Sequence, residues 1–233
     1  MRIVFRGTVQ GVGFRPAVYR AATAHSLRGT VRNDGQGVTV DIDDGETFLA
    51  EFLSHLPPLA TVDTVEKEPY DVPADVQGFT ILPSDERPGR SVSIPTDTAL
   101  CPNCLADLRS GRRKGYPFTS CVNCGPRFTL LRALPYDRAR TAMSDFPPCA
   151  ACAAEYAAPG DRHFHHQTVC CRTCGPRYRL VDAKGNALPG DPIPAFAQAL
   201  ENGRIGIAKS WGGMHICCIL SQMKHLREWY GRA

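Results

Sequence analysis

Four pairs of cysteines, each with two residues between its members, dominate the middle of the chain. The pairs are "CPNC" (101–104), "CVNC" (121–124), "CAAC" (149–152) and "CRTC" (171–174), and 16, 24 and 18 residues separate them. The second and fourth pairs both continue as "CGPR" plus an aromatic residue, so a unit of about 50 residues is repeated. Four thiols per unit are the complete ligand set of a tetrahedral zinc site. A segment of this kind folds around its metal ions.

The spacing predicts two structural zinc ions, one in each unit. The expected ligands of the first ion are Cys101, Cys104, Cys121 and Cys124, and those of the second are Cys149, Cys152, Cys171 and Cys174. An interleaved arrangement, in which the outermost pairs share a metal, stays open. Cys170 is a spare thiol, and His163, His165 and His166 are expected to pack or to be solvated, because four thiols already fill each site.

Eleven cysteines are many for 233 residues, and regular pairs of them indicate metal binding in a reducing compartment. The N-terminus, "MRIVFRGTVQ", has arginines where a signal peptide needs an apolar stretch. No apolar run approaches the length of a membrane span. We therefore expect a cytoplasmic protein that does not associate with a membrane.

The charge changes sign along the chain. Residues 1–90 contain 9 Lys+Arg against 13 Asp+Glu, and residues 101–180 contain 12 against 5. This shift, together with "SDERPGRSVSIP" (84–95), predicts a domain boundary near residue 90. The basic excess would suit nucleic-acid binding. However, eight thiolates and two Zn²⁺ lower the charge of this region from +7 to about +3, so nucleic acid is the less favoured partner.

The first 90 residues show strand and helix patterns in the order β-α-β-β-α-β. "RIVFRGTV" alternates as a strand does, and residues 16–26 have the apolar spacing of a helix. "RGTVRNDGQGVTVDID" is predicted to form two strands around a tight turn, "ETFLAEFLSHL" a helix, and "TVDTV" (61–65) and "GFTIL" (78–82) later strands. The order predicts an α+β ferredoxin-like sandwich.

The stretch "GTVQGVGFRP" (7–16) predicts a strand, an anion-binding loop and a helix N-terminus. Glycine tolerates positive φ and lets a ligand approach the backbone, and an arginine fork suits phosphate. Pro16 is expected to be the first helical residue. The candidate phosphate-binding residues are Gln10, Gly11, Val12, Gly13, Phe14 and Arg15. The alternative is a glycine-rich turn with a surface arginine.

"GTVQGVGFR" together with "GTVRNDGQG" resembles the acylphosphatase family over residues 1–90. The resemblance implies that Arg15 and the 10–15 loop hold the phosphate of an acyl phosphate, and that Asn33 positions the attacking water. These two residues are the implied catalytic residues. Their chemistry suits the reaction, because a mixed anhydride has a good leaving group and needs mainly charge stabilisation and an aligned water.

The end of the chain is predicted to open a further α/β domain. "IPAFAQALENG" has the pattern of a helix closed by Gly203, "RIGIAK" and "SWGGMHICC" have that of strands, and "SQMKHLREWYGRA" begins another helix. Roughly forty residues cannot bury a core of their own. We therefore expect residues 190–233 to be the truncated start of a larger domain.

The order of these modules resembles the N-terminal part of the HypF-type carbamoyltransferases of nickel–iron hydrogenase maturation. The resemblance implies an acylphosphatase domain (1–90), a tandem zinc-finger domain (91–180) and the truncated start of a YrdC-like ATP-binding domain (190–233). It also implies cleavage of carbamoyl phosphate, a HypE-like protein as carbamoyl acceptor, and a role for ATP and Mg²⁺ in the complete protein, with Lys209 of "KSWGGMH" as a nucleotide contact.

Two questions remain open from the sequence. The first concerns the steps that follow cleavage of carbamoyl phosphate, which are activation with ATP and transfer of the carbamoyl group. These steps are expected to need a separate C-terminal HypF polypeptide or the rest of a longer chain. The alternative function is a general acylphosphatase that carries a zinc-ribbon module for binding protein or nucleic acid.

Overall fold

The computed structural model describes residues 1–85 and 93–219, which fall into two compact regions, Met1–Gly175 and Pro176–Ala233. The boundary predicted near residue 90 and the helix predicted from residue 221 lie outside the described residues. Among the described residues, no helix has both the length and the apolarity to cross a membrane.

A five-stranded sheet with two helices forms the N-terminal part of the first region. Its strands are β1 (Arg2–Thr8), β2 (Gly29–Asp34), β3 (Gly37–Ile42), β4 (Thr61–Glu68) and β5 (Phe79–Ile81), in the order β4-β1-β3-β2-β5. The helices are α1 (Phe14–Ala24) and α2 (Gly45–Phe52). All pairings are antiparallel except that of β2 with β5. This is the expected α+β ferredoxin-like arrangement, with β5 added at the edge.

The core of this sheet lies between its strands and the two helices. The apolar spacing along α1 buries Phe14 and Val18, and that along α2 buries Phe48 and Phe52. The rings of Phe5, Phe14 and Phe52 meet edge to face, with centroids 5.1–5.8 Å apart. The core therefore fixes the N-terminal end of α1, where the loop predicted to bind phosphate begins the helix.

Residues 93–175, here called the cysteine-rich segment, contain little regular structure. Helix α3 (Pro102–Arg109) begins one residue after Cys101, and helix α4 (Ala150–Ala157) begins one residue after Cys149. Short 3-10 turns connect the rest. The repeat predicted from the sequence thus appears as two helices placed at equivalent positions of two cysteine units, residues 101–124 and 149–174.

The second compact region contains helix α5 (Pro192–Glu201) and a hairpin of β6 (Gly206–Lys209) and β7 (Met214–Cys217). Asp191 caps α5 by accepting a hydrogen bond from the backbone nitrogen of Ile193. Apolar side chains of this region, including Ile207 and Met214, are exposed at 61% and 73%.

Candidate active site and metal centres

The candidate phosphate loop connects β1 to α1. Gly11 and Gly13 have φ angles of 73° and 76°, a conformation that glycine adopts without strain. The structure starts α1 at Phe14, two residues before the predicted start at Pro16, so Arg15 lies in the first helical turn. Its guanidinium is buried beside the loop. The backbone N–H groups of a helix N-terminus therefore lie next to the arginine, an arrangement that favours an anion.

Asn33 lies at the end of β2, where a tight turn fixes its position. The Asp34 carboxylate accepts hydrogen bonds from the backbone nitrogens of Gln36 and Gly37 and from the hydroxyl of Thr39. Asn33 itself is buried, and its Nδ2 donates to the carbonyl oxygen of Tyr136 at 3.4 Å. Its Oδ1 is buried with no hydrogen-bond partner among the described residues.

Arg15 and Asn33 line one cavity of about 30 Å³, together with Gly11, Gly13 and Phe14. That volume suits about one water molecule. The structure thus places the two residues with implied catalytic roles and most of the predicted loop around a common space. The buried Oδ1 of Asn33, which has an unused acceptor position, and the buried positive charge of Arg15 thus belong to residues that line the same cavity.

Gln10 and Val12, two residues of the predicted phosphate loop, are not among the residues that line the cavity. The Gln10 side chain donates to the carbonyl oxygens of Asp34 and Gly37 at 2.8 and 2.7 Å, and its Oε1 accepts from the backbone nitrogen of Tyr136 at 2.9 Å. Val12 is buried in the core. Gln10 therefore joins the loop, the β2–β3 turn and the cysteine-rich segment by hydrogen bonds to three backbone sites.

The cysteine-rich segment covers the phosphate loop. The sequence predicted the loop but did not predict this contact. A Cβ at Gly11 would lie 3.3 Å from the ring of Tyr136, and one at Gly13 would lie 3.1 Å from Val122. Arg15 donates to the Asp137 carboxylate at 2.8 Å and to the Ser84 hydroxyl at 3.2 Å. The available sequence signal for Tyr136 and Asp137 was the unusual segment "PYDRARTAM" (135–143).

Two histidines of the cysteine-rich segment also line the cavity. Burial and the nearby charge of Arg15 lower the pKa of His165 to about 4. Burial lowers the pKa of His166 well below its ordinary value, and burial raises that of Tyr136. These groups are neutral at pH 7, so the positive charge around the cavity comes from Arg15 and Arg127.

The eight cysteines of the four pairs form two separate clusters. The ligand atoms of each cluster all lie within 4.8 Å of one another: Cys101, Cys104, Cys121 and Cys124 in the first, and Cys149, Cys152, Cys171 and Cys174 in the second. Close sulfur–sulfur distances are 3.4–3.8 Å in the first cluster and 3.6–3.8 Å in the second. A tetrahedron with metal–sulfur bonds of about 2.3 Å has edges of about 3.8 Å. The thiols therefore fit metal ions, with one site in each unit and no interleaving.

Each cluster receives an arginine from the other cysteine unit. Arg162, which follows Cys152, donates to the sulfur of Cys104 at 2.9 Å. Arg112, which follows Cys104, donates to the sulfur of Cys152 at 3.4 and 3.5 Å. Four thiolates around a divalent ion carry a net charge of −2, so these arginines offset part of the negative charge of each site.

The spare thiol and the remaining histidine have structural positions. Cys170 is buried, and the Tyr116 hydroxyl donates to its sulfur at 3.5 Å. Burial raises the pKa of the Cys170 thiol to about 11, so it stays protonated. His163 is buried, and its Nδ1 lies 2.8 Å from the Asp161 carboxylate.

Lys209 lies in the second compact region, at the end of β6. Its ammonium donates to the carbonyl oxygen of Ser210 at 2.9 Å, and a longer contact of 3.5 Å joins it to that of Trp211. The side chain is otherwise exposed. A nucleotide contact there remains a prediction.

Comparisons with known proteins agree with this architecture. The Acylphosphatase family matches residues 1–81, and the HypF finger matches residues 100–131 and 149–181. The acylphosphatase of Caldivirga maquilingensis is 42% identical over 86 residues, which are 35% of this chain and 90% of that protein.

The longer matches are to HypF proteins. Carbamoyltransferase HypF of Rhodobacter capsulatus is 48% identical over 219 residues, which are 93% of this chain and 29% of that protein. Carbamoyltransferase HypF2 of Cupriavidus necator is 44% identical over 94% of this chain and 28% of its own length. A crystal structure of full-length HypF in the phosphate- and nucleotide-bound form superposes with a TM-score of 0.87 at 35% identity, covering 97% of this chain and 31% of that one.

The chain thus spans about three tenths of the length of the HypF proteins that it matches. Its sheet domain has the acylphosphatase fold and sequence pattern, and its two cysteine units have those of the HypF finger. The matches confirm the resemblance seen in the order of the modules, and the chain belongs to the HypF family.

Proposed function

We propose that this chain hydrolyses an acyl phosphate in the cavity between the 10–15 loop and the cysteine-rich segment, and that its substrate is carbamoyl phosphate. The observation that carries the proposal is the common cavity of Arg15 and Asn33. Membership of residues 1–81 in the acylphosphatase family supports the reaction type. The name carbamoyltransferase, which the HypF relatives bear, supports the carbamoyl group.

The roles follow from charge and burial. Arg15 and the backbone amides of the loop bind the phosphate group, where a preorganised positive charge stabilises the transition state. The buried Oδ1 of Asn33 accepts a hydrogen bond from the attacking water, because it has no partner among the described residues. Water adds to the phosphoryl group, the bond to the carbamoyl oxygen breaks, and carbamate and inorganic phosphate leave.

The size of the cavity favours a small acyl group. Its volume is about 30 Å³, and its lining includes Tyr136 and Val122, which lie against the glycines of the loop. A carbamoyl or acetyl group requires less rearrangement of this cover than an aromatic acyl group does. We therefore expect carbamoyl phosphate and acetyl phosphate to be better substrates than benzoyl phosphate.

We further propose that both cysteine clusters bind Zn²⁺ with a structural role. The set of four thiolates is the closed ligand set of structural zinc and leaves no position for a reactive water. The metal ions would hold the cysteine-rich segment, which has little regular structure, in place over the cavity. The basic residues support this role over nucleic-acid binding, because Arg112 and Arg162 contact thiol sulfurs.

The wider role is proposed from the family. The carbamate would be activated with ATP and Mg²⁺ and passed to a HypE-like protein in the cytoplasm, for the cyanide ligand of the nickel–iron centre. These steps would use three domains, residues 1–90, 91–180 and 190–233, and Lys209 of the third domain would lie near the nucleotide. Because the chain spans about three tenths of the length of its HypF relatives, these steps are proposed for the complete protein.

The test of the proposed function is a substrate profile of the zinc-loaded chain. Phosphate release from carbamoyl, acetyl and benzoyl phosphate should give kcat/KM values that fall in that order. Asn33→Ala should lower turnover with little change in inhibition by inorganic phosphate, since aligning the water acts on the transition state. Equal rates for all three substrates would favour a general acylphosphatase, and no release from any of them would refute the proposal.

A further inference from the structure

The arginine of the first "CGPR" motif adds positive charge to the cavity, but no specific role has been given to it above. Among the described residues it is the largest side chain that is almost fully buried. Arg127 is 1% exposed and lines the same cavity as Arg15. A buried arginine is costly unless its donors are satisfied. Its contacts therefore show what it is placed to do.

All five N–H groups of the Arg127 guanidinium have backbone carbonyl partners. One Nη donates to Cys124 and Pro126 at 2.8 and 2.9 Å, and the other donates to Cys121 and Val122, each at 2.9 Å. The fifth donor, Nε, makes a short hydrogen bond to the carbonyl oxygen of Gly11. Four contacts thus hold the arginine on the backbone of residues 121–126, three of them within the first cysteine unit, and one reaches the phosphate loop.

The contact to Gly11 constrains one of the two glycines of the loop. Gly11 and Gly13 both have positive φ, and glycines lose more conformational freedom on ordering than other residues. In a trans peptide the C=O and N–H groups point in opposite directions. Holding the carbonyl of Gly11 therefore also fixes the direction of the Val12 N–H, one of the amides of the predicted anion site.

The positive charge of Arg127 also favours phosphate binding. Its guanidinium donates to neutral carbonyl groups, so the positive charge remains available to an anion in the cavity that it lines. The Asp97 carboxylate nearby accepts from the backbone nitrogen of Arg127 at 2.6 Å. That contact orients the residue through its main chain.

We propose that Arg127 is a positioning residue for phosphate: it fastens the Gly11 carbonyl of the phosphate loop to the backbone of the first cysteine unit, so that the loop is ordered before the substrate binds. The inference rests on the proposed function. It makes the cysteine-rich segment a part of the acyl phosphate site, in addition to its role as a metal-bound support.

The test compares Arg127→Gln and Arg127→Lys with a matched control, Arg113→Gln. Arg113 is also a buried arginine between the two cysteine pairs of the first unit, but it contacts the carbonyl oxygen of Cys170, the carboxylate of Glu155 and, at 4.0 Å, the sulfur of Cys152 instead of the phosphate loop. Inhibition by inorganic phosphate, KM, kcat, metal content and the thermal midpoint are measured for each variant. Hydrogen exchange of the amides of residues 10–14 reports loop order directly.

We expect Arg127→Gln to weaken phosphate inhibition and raise KM by about tenfold, the size expected for the one charged hydrogen bond that it removes from the phosphate loop. Loss of the four contacts to residues 121–126 should lower the thermal midpoint, and the phosphate effect is scored on protein that retains both metal ions. Exchange at residues 10–14 should become faster. Arg127→Lys keeps the charge and one contact, so its effect on phosphate inhibition and KM should be smaller. This variant provides the test if Arg127→Gln does not fold. Arg113→Gln should lower the thermal midpoint and leave phosphate inhibition unchanged.

Phosphate inhibition and loop exchange that match the wild type in the folded Arg127 variants would overturn the inference, as would an equal loss in Arg113→Gln. Arg15→Ala separates this result from the proposed function. If Arg15→Ala abolishes phosphate inhibition and the Arg127 variants do not change it, the positioning role alone fails. If Arg15→Ala leaves inhibition unchanged, the proposed function fails.

Discussion

Asp137 Oδ1 lies 2.8 Å from Nη2 of Arg15, so the arginine that is expected to bind phosphate is paired with a carboxylate of the cysteine-rich segment. Arg15 has 9% of its side chain exposed and Asp137 has 27%. Asp137 follows directly on Tyr136, whose ring covers Gly11. One short stretch therefore covers the loop and also supplies a negative charge to it. A phosphate group that binds Arg15 has to share or displace this partner.

The first prediction follows from that competition. Asp137→Asn removes a negative charge beside Arg15, so inhibition by inorganic phosphate should strengthen, on the order of tenfold at low salt. Asp145→Asn is the control, because Asp145 is an exposed carboxylate of the same segment that pairs with Arg132. It should leave inhibition unchanged. Weaker phosphate inhibition in Asp137→Asn would show that the carboxylate positions Arg15 for the substrate.

The second prediction concerns the number of metal ions. The chain should bind two, and Cys121→Ser should release about one of them, because the thiols of each unit form their own cluster. Cys171→Ser is the matched change in the second unit and should also release about one. Metal analysis of the purified proteins gives the ratio. Loss of both ions from either variant would contradict separate sites.

The third prediction concerns the arginine that each cysteine unit places against a thiol of the other unit. Arg162→Gln removes the contact with the Cys104 sulfur and should weaken metal binding in the first cluster by about 10–100-fold, the usual effect of losing a partner of a metal ligand. Competition with a chromogenic chelator measures the affinity. Arg109→Gln changes an exposed arginine of α3 and should have no effect. Equal affinities in the wild type and Arg162→Gln would show that this arginine does not support the site.

The fourth prediction is a pH dependence of stability. The pKa of His165 is about 4 in the folded protein, below its ordinary value of 6.5, so the unfolded chain binds the proton more tightly. The contribution of neutral His165 to the free energy of unfolding is complete above pH 6.5 and is lost as the pH falls towards 4. The free energy of unfolding, measured with denaturant, should fall more over this pH window for the wild type than for His165→Gln. Parallel curves would contradict the depressed pKa.

The sequence predicted the sheet domain because its elements have regular periods. Alternating apolar residues identified β1 and the β2–β3 hairpin, and helical spacing identified α1 and α2. The start of α1 was placed two residues late, at Pro16, because the proline was interpreted as the first helical residue. Arg15 and Asn33 were found from local motifs, and the fold brings both of them to the cavity.

The cover of the site could not be predicted in this way. Asp137 and Arg15 are 122 positions apart, and the segment around Asp137 has only short 3-10 turns, so no period indicates which side chains face the loop. Arg127 belongs to "CGPR", which the sequence indicates only as a repeated continuation of the second and fourth cysteine pairs. Its contact with Gly11 depends on how the cysteine units pack against the sheet domain, which the spacing of cysteines does not determine.

The central claim is that Arg15 binds the phosphate of carbamoyl phosphate for hydrolysis. The most direct measurement is the rate of phosphate release from carbamoyl phosphate by the wild type and by Arg15→Lys, with Arg28→Lys as control, since Arg28 forms an exposed ion pair with Asp43. Lysine keeps the charge and loses the fork of donors, so Arg15→Lys should lose about 10²–10³-fold in kcat while metal content and thermal midpoint stay near those of the wild type. Arg28→Lys should match the wild type. Wild-type turnover in a folded Arg15→Lys protein would contradict the claim.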